Sequence, residues 1–361
     1  MNNDNFLYQI NVTRACNLRC NHCYIHNDIK DSSGQIEINQ LISLADQISE
    51  HLQNSNRSHA EIHIIGGEPT TLGLAYFAEA IPEFRAKLKA SNIHFEIILV
   101  SNLLSEDSLN IAQFFDKVCT SYEPETRFNK AKLLERWEIH VGDLLNNELS
   151  LGVTSAMTLP VINYGANQLL DYLYQLGLKQ IHLGFFIPEG DGLVNIDTVF
   201  PQFSQTSNFL IEAAQWYFEK RDNDPDLWLN PIESLLYSIH HEIPANDIVC
   251  PVHSGSIDIH WDGNTETCLE AGGATNPQWL GNVFEESIKQ VSSSKKFKKR
   301  TLNICRPKSI CLQCDAYQLC KAGCSVLFKY WQPSDDECPG FKGFINYIKN
   351  QYDNGIRPKL S

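Results

Sequence analysis

The sequence predicts an α/β fold on a parallel sheet, followed by a small C-terminal unit stapled by metal. Three observations carry this expectation. Strand-like and helix-like runs alternate six times in the first half; the alternation stops near residue 200; and eight of the twelve cysteines lie beyond Val249.

The strand-like runs are Phe6–Thr13, Glu61–Ile65, His94–Ser101, Val118–Tyr122, Ser150–Leu159 and Gln180–Phe186. Between the first two, Ile38, Leu41, Ile42, Ala45, Ile48 and Leu52 recur at helical spacing. Later apolar sets at Ala75–Leu88, Leu109–Phe115, Arg127–Leu144 and Asn167–Leu176 do the same. Six β-α repeats imply parallel strands with right-handed crossovers, whose C-terminal loops build the site. From Phe203 to His241 two helices without an intervening strand are expected, broken by a turn at Asp222–Pro225. From Val249 the chain is short-stranded and cysteine-rich, typical of units that bury too little apolar surface to stand without metal. The expected division is 1–200 β-α domain, 201–248 helical connector, 249–345 metal-stapled domain and 346–361 tail.

Composition excludes several classes. The formal charge is −14 over 361 residues, with acids spread along the chain. That argues against nucleic acid as the partner. No N-terminal apolar run reads as a signal peptide, and no stretch could span a membrane. Twelve cysteines without an export signal read as metal ligands in a reducing compartment, so a cytoplasmic location is expected. One basic cluster stands out: Lys295, Lys296, Lys298, Lys299 and Arg300. It reads as a solvated helix face or as a docking point for an acidic reductant or peptide.

The chemistry centres on Cys16, Cys20 and Cys23, spaced C-x3-C-x2-C directly after the first strand. Three thiolates on one tight loop can hold three irons of a cubane cluster and leave the fourth open. A zinc loop is the alternative, although zinc loops usually come as two C-x2-C pairs. After the second strand comes Gly66-Gly67-Glu68-Pro69. Glycines let the backbone approach a ligand, and a carboxylate accepts from an ammonium group. The C-terminal cysteines read C…G-x4-C…C-x2-C-x5-C-x3-C…C, from Cys250 and Cys268 through Cys311, Cys314, Cys320 and Cys324 to Cys338. Cys311-x2-Cys314 with Cys320-x3-Cys324 also fits a zinc ribbon.

The first two motifs together resemble the radical S-adenosylmethionine (radical SAM) enzymes, and the third resembles their SPASM extension. The resemblance covers roughly residues 6–200 and 249–340. It implies a partial (β/α)6 TIM-like barrel with a small C-terminal iron–sulfur cluster domain. It implies that the open iron chelates SAM, and that one electron cleaves SAM to methionine and a 5′-deoxyadenosyl radical. The hard chemistry then belongs to the cofactor.

By resemblance, Gly66, Gly67, Glu68 and Pro69 face the methionine amino group of SAM. Ser101, Asn102, Ser121 and Arg127 face its ribose or carboxylate. Ser101-Asn102 reads equally as a cap or Asx turn, and Arg127 as a surface charge. His22 stands where relatives carry an aromatic residue near the adenine, a role Tyr24 can share. Cys250, Cys268 and Cys324 would hold a first auxiliary [4Fe-4S] cluster, which either Cys305, the nearest spare, completes or whose fourth iron stays open for a substrate thiolate. Cys311, Cys314, Cys320 and Cys338 would hold a second. Cys119 reads as a buried apolar residue. Glu270 and Asp262 are candidate proton acceptors by position, or plain loop carboxylates.

Relatives of this type mostly modify ribosomal peptides or protein side chains by crosslinking, epimerisation or oxidation. A peptide maturase is therefore expected, with a flavodoxin- or ferredoxin-type reductant. Leader recognition would fall to a separate protein or to the barrel itself. Formylglycine-forming sulfatase maturases are an alternative, but they carry an aspartate just after the region of Cys268, where this chain reads Leu269-Glu270. A non-catalytic iron–sulfur electron carrier or redox sensor is a second alternative, to which the GGEP loop is superfluous. Radical chemistry on a sugar or other small molecule is a third.

Overall fold

A computed structural model describes residues 5–55, 57–128, 130–273 and 277–359. The expected tail ends in two residues outside this set.

The first six strands are β1 (Asn5–Thr13), β2 (His59–Gly66), β3 (His94–Val100), β4 (Lys117–Ser121), β5 (Leu151–Ala156) and β6 (Gln180–Gly184). The helices between them include α1 (Ile38–Asn54), α2 (Leu74–Ala90), α3 (Ser108–Ala112), α4 (Ala131–Asn146) and α5 (Ala166–Gln175). Then follow α6 (Phe203–Lys220), β7 (Trp228–Asn230), α7 (Ile232–His241), β8 (Ser256–Ile259), β9 (Thr265–Glu266), α8 (Lys295–Ile304) and α9 (Lys342–Asp353). The sheet order is β7-β6-β5-β4-β3-β2-β1-β8-β9. Neighbours are parallel throughout except the antiparallel β8–β9 pair. This is the α/β partial barrel the sequence predicts.

Burial explains why these runs are strands. β1 and β2 alternate half-buried and buried residues over their first halves, then are buried through Ile10–Thr13 and Ile64–Gly66. Their C-terminal ends are covered on both sides, and in β1 the polar residues buried there find partners, Asn11 on Asp258 and Thr13 on Gly34 O. In α1, Leu41, Leu44, Ala45, Ile48 and Leu52 form the buried stripe. A Glu37–Gln40 capping box starts the helix. Fully burying each such leucine or isoleucine contributes roughly 1.5–3 kcal/mol. Trp137 of α4 is fully buried and donates from Nε1 to Thr120 Oγ1 on β4 at 2.9 Å, fixing that helix against the sheet. Among the described residues no helix is long and apolar enough to cross a membrane.

Three features depart from the sequence reading. A short strand, β7, does intervene between α6 and α7, pairing with β6 at the sheet edge. Three residues carry too little alternation to be read as a strand. The cysteine-rich segment is not set apart from the barrel, because β8 pairs with β1 in parallel, from Leu7↔Ser256 to Ile10↔Ile259. Residues 346–353, expected as part of a tail, belong to α9, which buries Phe344, Ile345 and Ile348.

Candidate active site

The loop after β1 is braced by its neighbour. Gly67 N–H donates to Thr13 O at 2.9 Å and Glu68 N–H to Ala15 O at 2.8 Å. A Cβ on Gly66 would stand 1.9 Å from Thr13 O, and one on Gly67 would stand 2.3 Å from Arg14 O and Ala15 O. The two glycines therefore serve a close backbone approach to the cysteine loop, where the sequence reading had them approach a ligand. Leu18 N–H donates to Cys16 Sγ and Ile25 N–H to Cys23 Sγ, both at 3.4 Å. Burial, then the neighbouring thiols and Glu68, push the Cys16 thiol up to about 11. Cys20 is raised by burial, against which Arg127 pulls down. The three sulfurs thus share one electrostatic site.

Glu68 is buried, and its carboxylate accepts four hydrogen bonds. Oε1 takes Thr70 N–H (3.0 Å), Thr70 Oγ1 (2.6 Å) and Ser101 Oγ (2.7 Å); Oε2 takes Asn102 N–H (2.7 Å). Its charge ties the end of β2 to the end of β3, so the side chain is a brace more than an open acceptor. Asn102 Nδ2 donates to Asn17 Oδ1 at 2.7 Å, which fastens the cysteine loop to β3. Its Oδ1 accepts from Leu104 N–H, an Asx turn. Pro69 opens a short 3-10 turn, Pro69–Leu72, and does not line the cavity.

One cavity opens at the C-terminal ends of these strands. Its wall includes Cys16, Cys20, His22, Cys23, Tyr24, Gly66, Gly67, Glu68, Ser101, Asn102, Ser121 and Arg127. It also includes residues the sequence did not single out. Glu123 is buried: its Oε2 accepts from Arg127 Nε at 2.5 Å and lies 3.5 Å from His22 Nε2, and its Oε1 accepts from Ala156 N–H at 2.9 Å. Burial raises this carboxyl, but Arg127 and His22 outweigh it and hold it at about 2. Lys30, also in the wall, is buried against Asp191 at 3.1 Å. Neither had a sequence signal: both stand in polar runs that read as surface. Arg127, read as a surface charge in one alternative, instead faces the thiols and keeps Nη1 and Nη2 outside any hydrogen bond among the described residues.

Behind the wall, Arg14 is fully buried. Its Nη2 lies 2.7 Å from His260 Nε2 and 3.4 Å from Asp258 Oδ2. This joins the cysteine loop to β8 and its following turn, and the guanidinium also sits 5.7 Å from the Tyr24 ring centroid.

The C-terminal thiols fall into two sets. Burial, then Cys324, Glu270 and Cys305, push Cys250 up to about 12. Cys268 is raised by burial, Glu270 and Cys250. Burial, then Cys338, Cys314 and Cys311, push Cys320 up to about 11. A Cβ on Gly340 would stand 3.1 Å from Cys320 Sγ and 3.8 Å from Cys338 Sγ, so these sulfurs flank one glycine. Cys305, which caps the end of α8, is raised by burial. Cys119 lies on β4 and its thiol is raised chiefly by burial. Glu270 lines the cavity and accepts from Cys268 Sγ at 3.0 Å. Asp262 does not line the cavity. Its carboxylate accepts Asn264 N–H (3.1 Å) and Nδ2 (2.8 Å), which is the work of a turn between β8 and β9.

The donor set fits iron–sulfur groups. Thiols that crowd and raise one another are relieved by a bound cationic centre. Among the described residues no three His, Cys, Asp or Glu side chains group tightly enough for a single metal ion. His22 Nδ1 and Tyr24 Oη are buried without a hydrogen-bond partner at the cavity wall. Such orphans cost about 1–3 kcal/mol each, which a polar ligand would recover.

Comparison with known proteins agrees. Residues 9–138 match a family described as a 4Fe-4S single cluster domain, and residues 250–324 match SPASM, an iron–sulfur cluster-binding domain. No curated protein sequence matches significantly. Among solved structures, anSMEcpe with bound AdoMet superposes with a TM-score of 0.75 at 18% identity, covering 97% of this chain and 96% of that one. anSMEcpe with AdoMet and the Cp18Cys peptide gives 0.75 at 17% identity, covering 97% and 98%. SuiB of Streptococcus suis bound to S-adenosylmethionine gives 0.61 at 13% identity, covering 93% of this chain and 75% of SuiB. Two successive iron–sulfur domains on a parallel partial barrel define an iron–sulfur enzyme. The chain carries a 4Fe-4S single-cluster domain and a C-terminal SPASM iron–sulfur domain, and it shares the fold of these AdoMet-bound structures.

Proposed function

We propose that this enzyme is a maturase acting on a side chain or α-carbon of a ribosomal peptide or protein, giving a crosslink, an epimer or an oxidised residue. The observation that carries the reading is the composition of one cavity wall. The Cys16/Cys20/Cys23 loop and Glu270, bonded to Cys268 of the SPASM segment, both line this cavity. A substrate bound there touches both iron–sulfur regions at once. Structures of similar fold are described with the Cp18Cys peptide and with the precursor peptide SuiA, which supports a peptide as the occupant.

The bound cluster and SAM supply a 5′-deoxyadenosyl radical; the protein supplies position. Cys16, Cys20 and Cys23 hold three irons, and the backbone of Gly66-Gly67 with Glu68 fixes that loop. Arg127 offers Nη1 and Nη2 to the SAM carboxylate, its Nε being held by Glu123. Asn102 and Ser121 offer polar contacts to the ribose. His22 and Tyr24 offer an imidazole face, a ring and two orphaned polar atoms to the adenine side. Cys250, Cys268 and Cys324, with Cys305, hold one auxiliary cluster; Cys311, Cys314, Cys320 and Cys338 hold the other. Glu270 is the proton acceptor placed at the substrate.

The test is anaerobic reconstitution beside a Cys16/Cys20/Cys23→Ala variant. About twelve irons per chain, falling to about eight with 5′-deoxyadenosine formation lost, is expected. A peptide encoded beside the gene, deuterated at its cysteine, serine or glycine positions, should pass deuterium to 5′-deoxyadenosine. Cleavage that survives the triple variant refutes the first cluster. Deuterium that comes only from a sugar or other small molecule refutes the peptide. A peptide aldehyde as product would identify formylglycine formation.

A further inference from the structure

Charge in this chain is unevenly placed. Residues 287–314 contain eight of the 29 Lys and Arg and none of the 43 Asp and Glu. In an acidic protein this is the reverse of the prevailing field, and it is built on a fixed frame. Helix α8 begins with Ser294 capping Phe297 N–H and buries Phe297 alone. Arg300 Nε is bonded to the buried Glu266 at 3.1 Å, and Lys296 Nζ to Trp279 O. Lys289 pairs with Glu50 at 3.2 Å. Of the remaining five, Lys308 lies over the Phe328 ring, and among the described residues Lys295, Lys298, Lys299 and Arg306 make no ion pair and are exposed.

Apolar surface is concentrated in the same place. Leu302, Ile310 and Leu312 are 70%, 51% and 62% exposed. They are three of the six large hydrophobic residues exposed among the described residues, within an eleven-residue span. Exposed apolar residues interspersed in sequence with uncompensated charge of one sign are the mark of a protein-docking patch. The helix ends at Cys305, and the 3-10 turn Ser309–Gln313, which carries Cys311, has no buried residue. The patch thus runs directly onto auxiliary thiols. Its inner edge, at Phe297, Lys298, Thr301 and Leu302, shares a groove with Phe6 and Gly255. Those two residues stand at the N-terminal ends of β1 and β8, the end of the sheet opposite the substrate cavity.

We propose that the face formed by α8 and the Arg306–Gln313 loop is the docking surface for an acidic one-electron carrier protein. The occupant follows from three facts: the charge is complementary to an acidic partner, the surface abuts thiols of the auxiliary sites, and it lies away from the cavity where a peptide is modified. The exchange is a single electron. The reduced carrier is oxidised by one electron and the iron–sulfur group behind Cys311 is reduced by one, with no bond or proton transferred. The inference rests on the auxiliary-cluster assignment above.

The experiment uses the full reconstituted chain, with a reduced acidic flavodoxin as the probe. Binding is measured at low and high salt, and cluster reduction by flavodoxin is followed by absorbance. The wild type should bind in a salt-sensitive way. K295E/K298E/K299E should slow association and flavodoxin-driven reduction about tenfold or more, and L302S/L312S should speed dissociation. Dithionite, which needs no docking, should drive SAM cleavage equally in all three proteins. Salt-insensitive binding, or a charge-reversed variant reduced at the wild-type rate, overturns the proposal. So does equal salt-sensitive binding of an acidic peptide or of anionic vesicles in place of flavodoxin. A wild-type protein without auxiliary iron refutes the underlying assignment instead, and the iron assay on the same samples separates that failure from a failure to dock.

Discussion

The two thiol regions of this enzyme are built in opposite ways. Cys16, Cys20 and Cys23 occupy eight residues, and the loop is held by main-chain and side-chain contacts: two glycines pressed on Thr13–Ala15, the Glu68 N–H on Ala15 O, and the Asn102 side chain bonded to that of Asn17. Cys250 to Cys338 spread over most of the C-terminal third, on turns and helices often of only three to six residues. Beyond β8 and β9 that segment has little sheet to hold it. The first site is therefore expected to be shaped by the barrel before any iron arrives, and the second to need its ligands joined to become rigid.

Removing the iron should expose this difference most strongly. In chelated, iron-depleted protein, limited proteolysis should cut rapidly between residues 269 and 341 while a barrel fragment persists. Equal digestion of both regions would break the comparison. A smaller effect is expected from Gly66→Ala, whose Cβ would meet the Thr13 carbonyl. Overpacking of this kind costs about 1–3 kcal/mol, so the thermal midpoint should fall. Iron should be lost from the N-terminal site while the auxiliary irons remain; loss from both would show that the two sites are coupled.

The smallest effect concerns the far end of the barrel. His51 is buried against Tyr8, whose hydroxyl lies 2.6 Å from His51 Nδ1, and burial with Arg57 holds its pKa down at about 4. In the unfolded chain the imidazole titrates near about 6.5. Between these values the unfolded state binds more protons, so this contribution to stability is present above about 6.5 and is lost as the pH falls toward 4. His51→Gln should flatten the pH dependence of the melting midpoint in that window. An unchanged profile would show that this end of the barrel does not govern acid stability.

Much of this was legible in the chain itself. The six β-α repeats were visible because buried parallel strands must be continuous apolar runs and their helices must keep one apolar stripe. The cysteine loop was visible because its ligands are neighbours in sequence. Glu123 and Lys30 were not: each takes its place through a partner on another element, Glu123 through His22 and Ala156 N–H and Lys30 through Asp191. Asp262 had the right composition and position but spends its carboxylate on a turn. Local spacing, periodicity and composition thus determine the elements, the chemistry class and the thiol inventory, because each depends on residues a few positions apart. Which carboxylates face the cavity, why the GG pair is needed, and that β8 completes the sheet beside β1 were decided by the tertiary structure alone. Those features depend on contacts between residues dozens to hundreds of positions apart, and they are set by packing and by the need to pair every buried charge.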